Sequence, residues 1–288
     1  MSESQEKVLS ILGVGLIGGS LAKAAKSAGL CQKVVGYGRC SKSLQRAVDL
    51  GVIDQITANI PDAVKNADFV LLATPVGAIE SLLKQAAGHF KSNAVITDVG
   101  STKGSVVEAV RRALGEVPGN FVPGHPIAGT ENSGVEYADA KLFDGRRVIL
   151  TPLENTNSDA VLRVRQIWEG VGSIVSEMAV NHHDEVLAAT SHMPHMLAYL
   201  MVDTLSKMDA RHEVFKYAAS GFRDFTRIAS SDPVMWRDIC LANSDALLSA
   251  LEEYSSELMQ LRNAIEAKDD EYLMALFSRS KAVRDRFC

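Results

Sequence analysis

The chain has 288 residues, 47% hydrophobic and 23% charged, with a formal net charge of −5; that is ordinary globular composition, long enough for two domains and a sizeable core. The acidic balance argues against a nucleic-acid or anionic-membrane partner, which needs concentrated Lys and Arg, and no apolar run reaches the ~20 residues of a bilayer span. Cys31, Cys40, Cys240 and Cys288 form no CxxC pair, so they read as reduced thiols with neither a disulfide framework nor a zinc site.

The polar start MSESQEK lacks a basic region and apolar core, so no targeting segment is read and the expected location is cytoplasmic. VLSILGVG reads as a strand and LIGGSLAKAAKSAG as a helix. Between them lies Gly13-Val14-Gly15-Leu16-Ile17-Gly18. A GxGxxG that leaves a strand and opens a helix is a dinucleotide fingerprint. The first glycine permits the tight turn, the second lets backbone approach a pyrophosphate, and the third lets helix and strand pack closely. The helix N-terminus then faces the phosphates. Gly13, Gly15, Leu16, Ile17 and Gly18 are therefore cofactor-binding candidates.

KVVGYG is a second strand and SKSLQRAVDLG a second helix. An acid is expected at the end of such a strand, to hold the adenosine ribose 2′-hydroxyl. The residues are Gly36-Tyr37-Gly38-Arg39-Cys40-Ser41. Gly38 stands in the acid's place, with Arg39 and Ser41 beside it. A carboxylate repels a 2′-phosphate and an arginine pairs with it, so NADP is expected in preference to NAD. The other reading makes Arg39 a solvated surface charge.

DFVLLAT is a third strand ending in Thr74-Pro75, at the edge where open parallel sheets bind ligands. VGAIESLLKQAAGHF follows as a helix. AVITDVG and the segment 101–114 repeat the pattern. Ser101 either caps that helix or offers its hydroxyl to the nicotinamide or a catalytic side chain. His125 lies in GHPIAGTENSGVE, between Gly124 and Pro126, on a loop after the strand end FVPG. A rigidly held imidazole beside a nicotinamide can accept a substrate hydroxyl proton as hydride leaves the same carbon; the alternative is a loop histidine bonded to its own backbone. RRVILTP and GSIVSEM are further strands flanking the helix SDAVLRVRQIWEG.

Strand-like runs stop near Met178. The alternation before it implies an α/β Rossmann-type domain over 1–178, with a parallel sheet covered on both faces. Residues 179–288 read as an all-helical substrate and dimerisation domain, whose apolar stripes bury against each other or a second subunit. Ser191-His192-Met193-Pro194-His195 interrupts a long helix and puts two imidazoles on one face. No carboxylate completes a metal set, so polar contacts to substrate or cofactor are preferred. Arg223 and Arg227 stand at i and i+4, able to fork an anion or to form surface pairs. Asp232-Pro233 resembles a helix start.

GVGLIGGSLA, DVGSTKG, GHPIAGTENSGVEYA, SHMPHMLAYL and GFRDFTRIASSDPVMWRDI, in this order, resemble the prephenate/arogenate (cyclohexadienyl) dehydrogenases of tyrosine biosynthesis, nearly end to end. The resemblance implies oxidative decarboxylation of prephenate or arogenate. Hydride passes to the nicotinamide, carbon dioxide leaves, and the ring becomes aromatic. It implies that His125 takes up the hydroxyl proton, and that Ser101 orients His125 and touches the nicotinamide. Arg227 would pair with a substrate carboxylate, with His192 and His195 near the substrate side chain. Trp236 would reach the neighbouring subunit's site in a homodimer built by the helical domain. The chain resembles the short, single-function form. Many relatives carry an acid where Gly38 stands, so NAD is not assumed. No residue selects prephenate over arogenate. Dehydrogenases of the 3-hydroxyacid type place a lysine on the interdomain helix, where this chain has SHMPH. The non-enzymatic alternative is an NADP-binding redox sensor.

Overall fold

The computed structural model describes residues 7–130, 132–208 and 211–287; Cys288 and Glu131 of the histidine loop lie outside them. Compactness divides the chain into Met1–Asn243 and Ser244–Cys288. The strands end at Glu177, next to the boundary expected at 178/179.

The first unit opens with β1 (Val8–Leu12), α1 (Leu16–Ser27), β2 (Lys33–Tyr37), α2 (Ser41–Asp49), β3 (Gln55–Ile56), α3 (Ile60–Val64), β4 (Phe69–Leu72), α4 (Ile79–Ala86), β5 (Val95–Asp98), α5 (Gly104–Leu114) and β6 (Phe121–Val122). The strands form one parallel sheet in the order β3-β2-β1-β4-β5-β6. That is the doubly wound dinucleotide-binding order, whose connections reverse direction between β1 and β4. Successive residues of a strand point to opposite faces. Leu9 and Ile11 of β1, with Phe69 and Leu71 of β4, share a core with α1 and α2. Leu12, Val70 and Leu72 share another with α3, α4 and α5. The strand β3 and helix α3 were not read in the sequence. Both are very short, and α3 starts on Asn59, whose side chain accepts from the Asp62 amide at 2.8 Å.

Next come β7 (Gly124–Pro126), β8 (Arg147–Leu150), α6 (Ser158–Gly170) and β9 (Ile174–Glu177). β7, β8 and β9 form a second sheet, with β7 antiparallel to β8 and β8 parallel to β9. Only Pro123 separates β6 from β7. It has no N–H with which to continue the ladder, and its carbonyl accepts from Thr151 at 3.0 Å. The chain thus changes sheets just before His125, which pairs with Ile149. The expected loop is therefore corrected: His125 sits on a buried strand.

The helical stretch contains α7 (Val180–Leu187), a π-turn over Ala188–His192, α8 (Met193–Ser206), α9 (Arg211–Lys216), α10 (Ser220–Thr226), a 3₁₀ turn over Arg227–Ser230 and α11 (Pro233–Ala242). Pro194, in the first turn of α8, removes one helical donor, and the wide turn before it absorbs the mismatch. The Asp232 carboxylate caps α11, accepting from Val234 and Met235 at 2.7 and 3.1 Å. The second unit holds α12 (Ser244–Ala267) and α13 (Asp270–Phe287). Among the described residues no helix is long and apolar enough to cross a membrane.

Gly13 has φ +109°, and a Cβ there would lie 2.5 Å from the Ala73 carbonyl oxygen. A Cβ on Gly18 would lie 2.5 Å from the Gly13 carbonyl oxygen and 2.8 Å from Ile11. Both turn glycines are thus demanded by packing. Gly18→Ala is expected to lower stability by about 1–3 kcal/mol, the range for overpacking. Urea denaturation should show a lower midpoint at unchanged slope; an unchanged midpoint would refute the close contact.

Candidate active site

The carboxyl ends of β1, β4 and β5 open onto a cleft of about 880 Å³, at the reversal point where such sheets bind ligands. Gly15, Leu16 and Ile17 line it, as do Thr74, Pro75 and Ser101. A Cβ on Gly15 would meet nothing within 4 Å, so the N-terminus of α1 offers the open approach a pyrophosphate needs. Gly13 and Gly18 do not line the cleft; they shape it from behind. Thr74 Oγ1 is buried without a partner, as expected of a hydroxyl whose partner is a ligand. These residues fit a dinucleotide.

Gly38, Arg39 and Ser41 lie outside the cleft lining, at the end of β2 and the start of α2. Arg39 and Ser41 are exposed. The first turn of α2 carries no acid. A Cβ on Gly38 would make only ordinary contact, 3.5 Å from Leu44. The missing acid is therefore a chemical choice, since there is room for one.

His125, only 8% exposed, reaches the cleft from β7. Its Nδ1 lies 2.9 Å from His183 Nε2, and His183 Nδ1 lies 2.8 Å from Asp184 Oδ1. The carboxylate sets every proton in this row. It only accepts, so a neutral His183 carries its proton on Nδ1 and leaves Nε2 bare. The bare nitrogen can only accept, so His125 donates from Nδ1. The His125 Nε2 lone pair is then left for a ligand. Burial, reinforced by the charge of Lys103, holds His125 well below the ordinary histidine value.

Asp184 also accepts from the Lys103 and Gly104 amides, both at 2.8 Å. It thereby caps α5, so of the two readings of Ser101 the cap is not the one formed. Burial raises its pKa, but the hydrogen bonds from His183 and these amides outweigh that and hold the carboxyl below its usual range. Likewise His183, not Ser101, orients His125 through Nδ1. Lys103 is wholly buried and pairs with Asp98. Its Nζ donates to the Gly124 carbonyl at 2.6 Å, and Asp98 accepts from the Gly124 amide at 3.1 Å. The ion pair therefore clamps the residue before His125.

His192, His195, Arg227 and Trp236 also line the cleft. The His195 ring stacks on Trp236 at 3.7 Å, and its Nδ1 lies 2.8 Å from the Ser191 carbonyl. Trp236, expected to serve a neighbouring subunit, lines the cleft of its own chain. Its Nε1 and His192 Nε2 are buried without protein partners. Arg227 reaches the cleft and its charge helps to depress His195, after burial. Arg223, a substrate-binding candidate, is exposed on α10 and is not among the lining residues, so of the two arginines only Arg227 lines the cleft. Among the described residues, no cluster of three His, Cys, Asp or Glu is placed to hold a metal.

His183, Asp184, Asp98 and Lys103 escaped the sequence reading. The adjacent His183-Asp184, inside the long helical stretch, was the available signal.

The prephenate dehydrogenase nucleotide-binding domain family matches residues 21–177, and the prephenate dehydrogenase dimerization domain family matches 179–279. The chain is 39% identical to a cyclohexadienyl dehydrogenase of Zymomonas mobilis, covering 96% of this chain and 95% of that protein. It is 37% identical to the prephenate dehydrogenase of Bacillus subtilis, covering 99% and 77%. Among solved structures, it superposes on A. aeolicus prephenate dehydrogenase in complex with hydroxyphenyl propionate and NAD+ with TM-score 0.91, at 40% identity and full coverage of both chains.

Burial holds His125 and His195 below the ordinary histidine value and takes His192 down to about 4. The unfolded chain binds these protons first, from about pH 6.5, so stability should fall as pH drops below that value. His125→Gln should flatten the decline by up to about 1.4 kcal/mol per pH unit, the limit for one proton. Urea midpoints between pH 5 and 8 give the slope; the same slope in the variant would contradict a neutral, buried His125.

Proposed function

The chain belongs to the prephenate dehydrogenase family, and from that membership we propose how its cleft divides the chemistry. The protein is an oxidoreductase of tyrosine biosynthesis, an oxidative decarboxylase of a cyclohexadienyl acid. A bound nicotinamide supplies the hydride acceptor. Gly15 and the first turn of α1 receive the pyrophosphate, with Thr74, Pro75 and Ser101 along the inner wall.

His125 is the proposed base. Its Nε2 lone pair accepts the ring hydroxyl proton as hydride leaves the carbon bearing that hydroxyl. The bond to the ring carboxylate breaks, carbon dioxide departs, the bond's electron pair completes the aromatic ring, and the ring oxygen takes its proton back from His125. His183 and Asp184 hold the base in the accepting tautomer. Arg227 pairs with a substrate carboxylate, and His192, His195 and Trp236 wall the side-chain end. The observation that carries this reading is the row His125–His183–Asp184 at the cleft edge. Prephenate and arogenate share the ring that these groups address, and the Zymomonas relative is a cyclohexadienyl dehydrogenase; both acids are proposed as substrates. A homodimer is proposed as well. The dimerization family covers 179–279, and Leu258, Met259, Met274 and Phe277 on α12 and α13 are exposed apolar residues.

His125→Asn should lower kcat with prephenate by about 10²–10⁴, the span of general-base catalysis, while cofactor affinity stays within a few-fold. Near-normal turnover would remove His125 from proton transfer.

NADP is the proposed preferred cofactor. The support is the absent acid at Gly38, the exposed Arg39 and Ser41, and the acid-free first turn of α2. Because a side chain fits at Gly38, Gly38→Asp should shift the ratio of kcat/KM values toward NAD by about tenfold or more, one lost phosphate contact being worth over ~1.4 kcal/mol. A ratio that already favours NAD in the unaltered protein, or that the variant leaves unmoved, would reject the assignment.

A further inference from the structure

Asn243 ends α11 at φ −124° and ψ 36°, and it is buried, 6% exposed. Its Nδ2 donates to the Asp184 carbonyl at 2.8 Å. A backbone carbonyl can only accept, so the amide cannot be flipped: its oxygen would face another oxygen. The same Nδ2 lies 3.1 Å from His192 Nδ1. Its second hydrogen therefore points at that ring nitrogen, which must be bare.

The single proton of a neutral imidazole then resides on Nε2. In His192 that nitrogen is buried, makes no well-formed hydrogen bond within the protein although the Ser101 backbone lies near the ring, and belongs to a ring that lines the cleft. We infer that Asn243 is a positioning residue that fixes His192 as a hydrogen-bond donor toward an oxygen acceptor of the bound ligand.

The two neighbouring imidazoles are set the other way. His195 bonds the Ser191 carbonyl through Nδ1, which leaves its Nε2 bare, and the His183 row leaves Nε2 of His125 bare. One histidine of the three donates and two accept. The arrangement also denies His192 two other roles. A second base or a metal ligand working through Nε2 needs a bare Nε2 supported by an acceptor at Nδ1, whereas Asn243 presents a donor there. Protonating Nδ1 would turn N–H against N–H. Burial, only partly offset by the Asp184 charge and by the Ser101 backbone, takes His192 down to about 4.

An unpaired buried donor is unfavourable until a ligand supplies its acceptor. That acceptor is a carbonyl or carboxylate oxygen, from the cyclohexadienyl acid or from the nicotinamide carboxamide. The choice between these two rests on the proposed function; the tautomer does not.

The test is nitrogen-15 NMR of the full chain labelled in histidine, without ligand, with His192→Gln used to assign the ring. A protonated Nε2 and a bare Nδ1 on His192 are expected. A bare Nε2 overturns the proposal, whatever the protein's catalytic activity. Asn243→Leu removes the donor at similar volume, and Asn243→Asp puts an acceptor in its place. Both should shift the His192 proton toward Nδ1. Both should also raise, by about tenfold, either the KM for substrate or the Kd for cofactor, according to which ligand carries the oxygen, with the other constant within about twofold, the loss of one hydrogen bond being of that order. An unmoved tautomer, or affinities unchanged for both ligands, overturns the role of Asn243. If neither variant folds, the spectrum of the unaltered chain decides.

Discussion

The carboxylate of Asp184 is the interaction on which the rest of the site depends. It stands on α7 but serves α5, whose first amides it accepts. A carboxylate at a helix N-terminus meets unpaired N–H groups and the positive end of the helix dipole. The approach is close: a Cβ on Gly104 would lie 3.0 Å from Asp184 Oδ2. The same carboxylate terminates the histidine row. One buried charge therefore locks a helix of the dinucleotide half to the helical stretch and sets the tautomer of the proposed base. Its backbone carbonyl anchors Asn243 in turn, and through it the His192 ring is referred to the same residue.

This explains why the cleft needs no metal to make its imidazoles distinct. A neutral histidine is ambiguous by one proton, and the ambiguity is removed by whatever its other nitrogen meets. Here the partners are the Nε2 of His183, a carbonyl and an amide N–H, and they give acceptor, acceptor and donor at the cleft surface. Burial keeps the rings neutral, without which the pattern would be lost to protonation.

The parallel sheet, the glycine turn and the helical second half were legible because each rests on local periodicity or on a motif with a local reason. Gly13, Gly15 and Gly18 have the geometry assigned to them, since the turn, the approach and the packing all act within one strand-turn-helix. Position 125 was legible only as a constrained histidine. Gly124 and Pro126 signalled a fixed path, but the change of sheet at Pro123 depends on β8, more than twenty residues later. Ser101 left two readings open. A serine before a helix is a reasonable cap, and here a carboxylate from α7, over eighty residues away in sequence, displaces it. Arg223 was assigned through its motif, and the motif does not encode which face of the helix meets the cleft.

The buried Lys103 raises a last question, since a fully buried ion pair is seldom the most stable filling for a core. Its geometry answers that it is there for His125. Nζ bonds the Gly124 carbonyl and Asp98 the Gly124 amide, so the pair fixes the backbone that enters β7. Its positive charge also weakens the neighbouring imidazole as a base. That runs against the usual advantage of a base matched to the working pH. In the proposed reaction the conflict is small. Loss of carbon dioxide creates an aromatic ring, so the driving force lies in the substrate and the hydroxyl needs only a correctly placed acceptor. Placement can then be favoured over base strength. A lysine that sharpens the first at the expense of the second is consistent with a site whose main task is orientation.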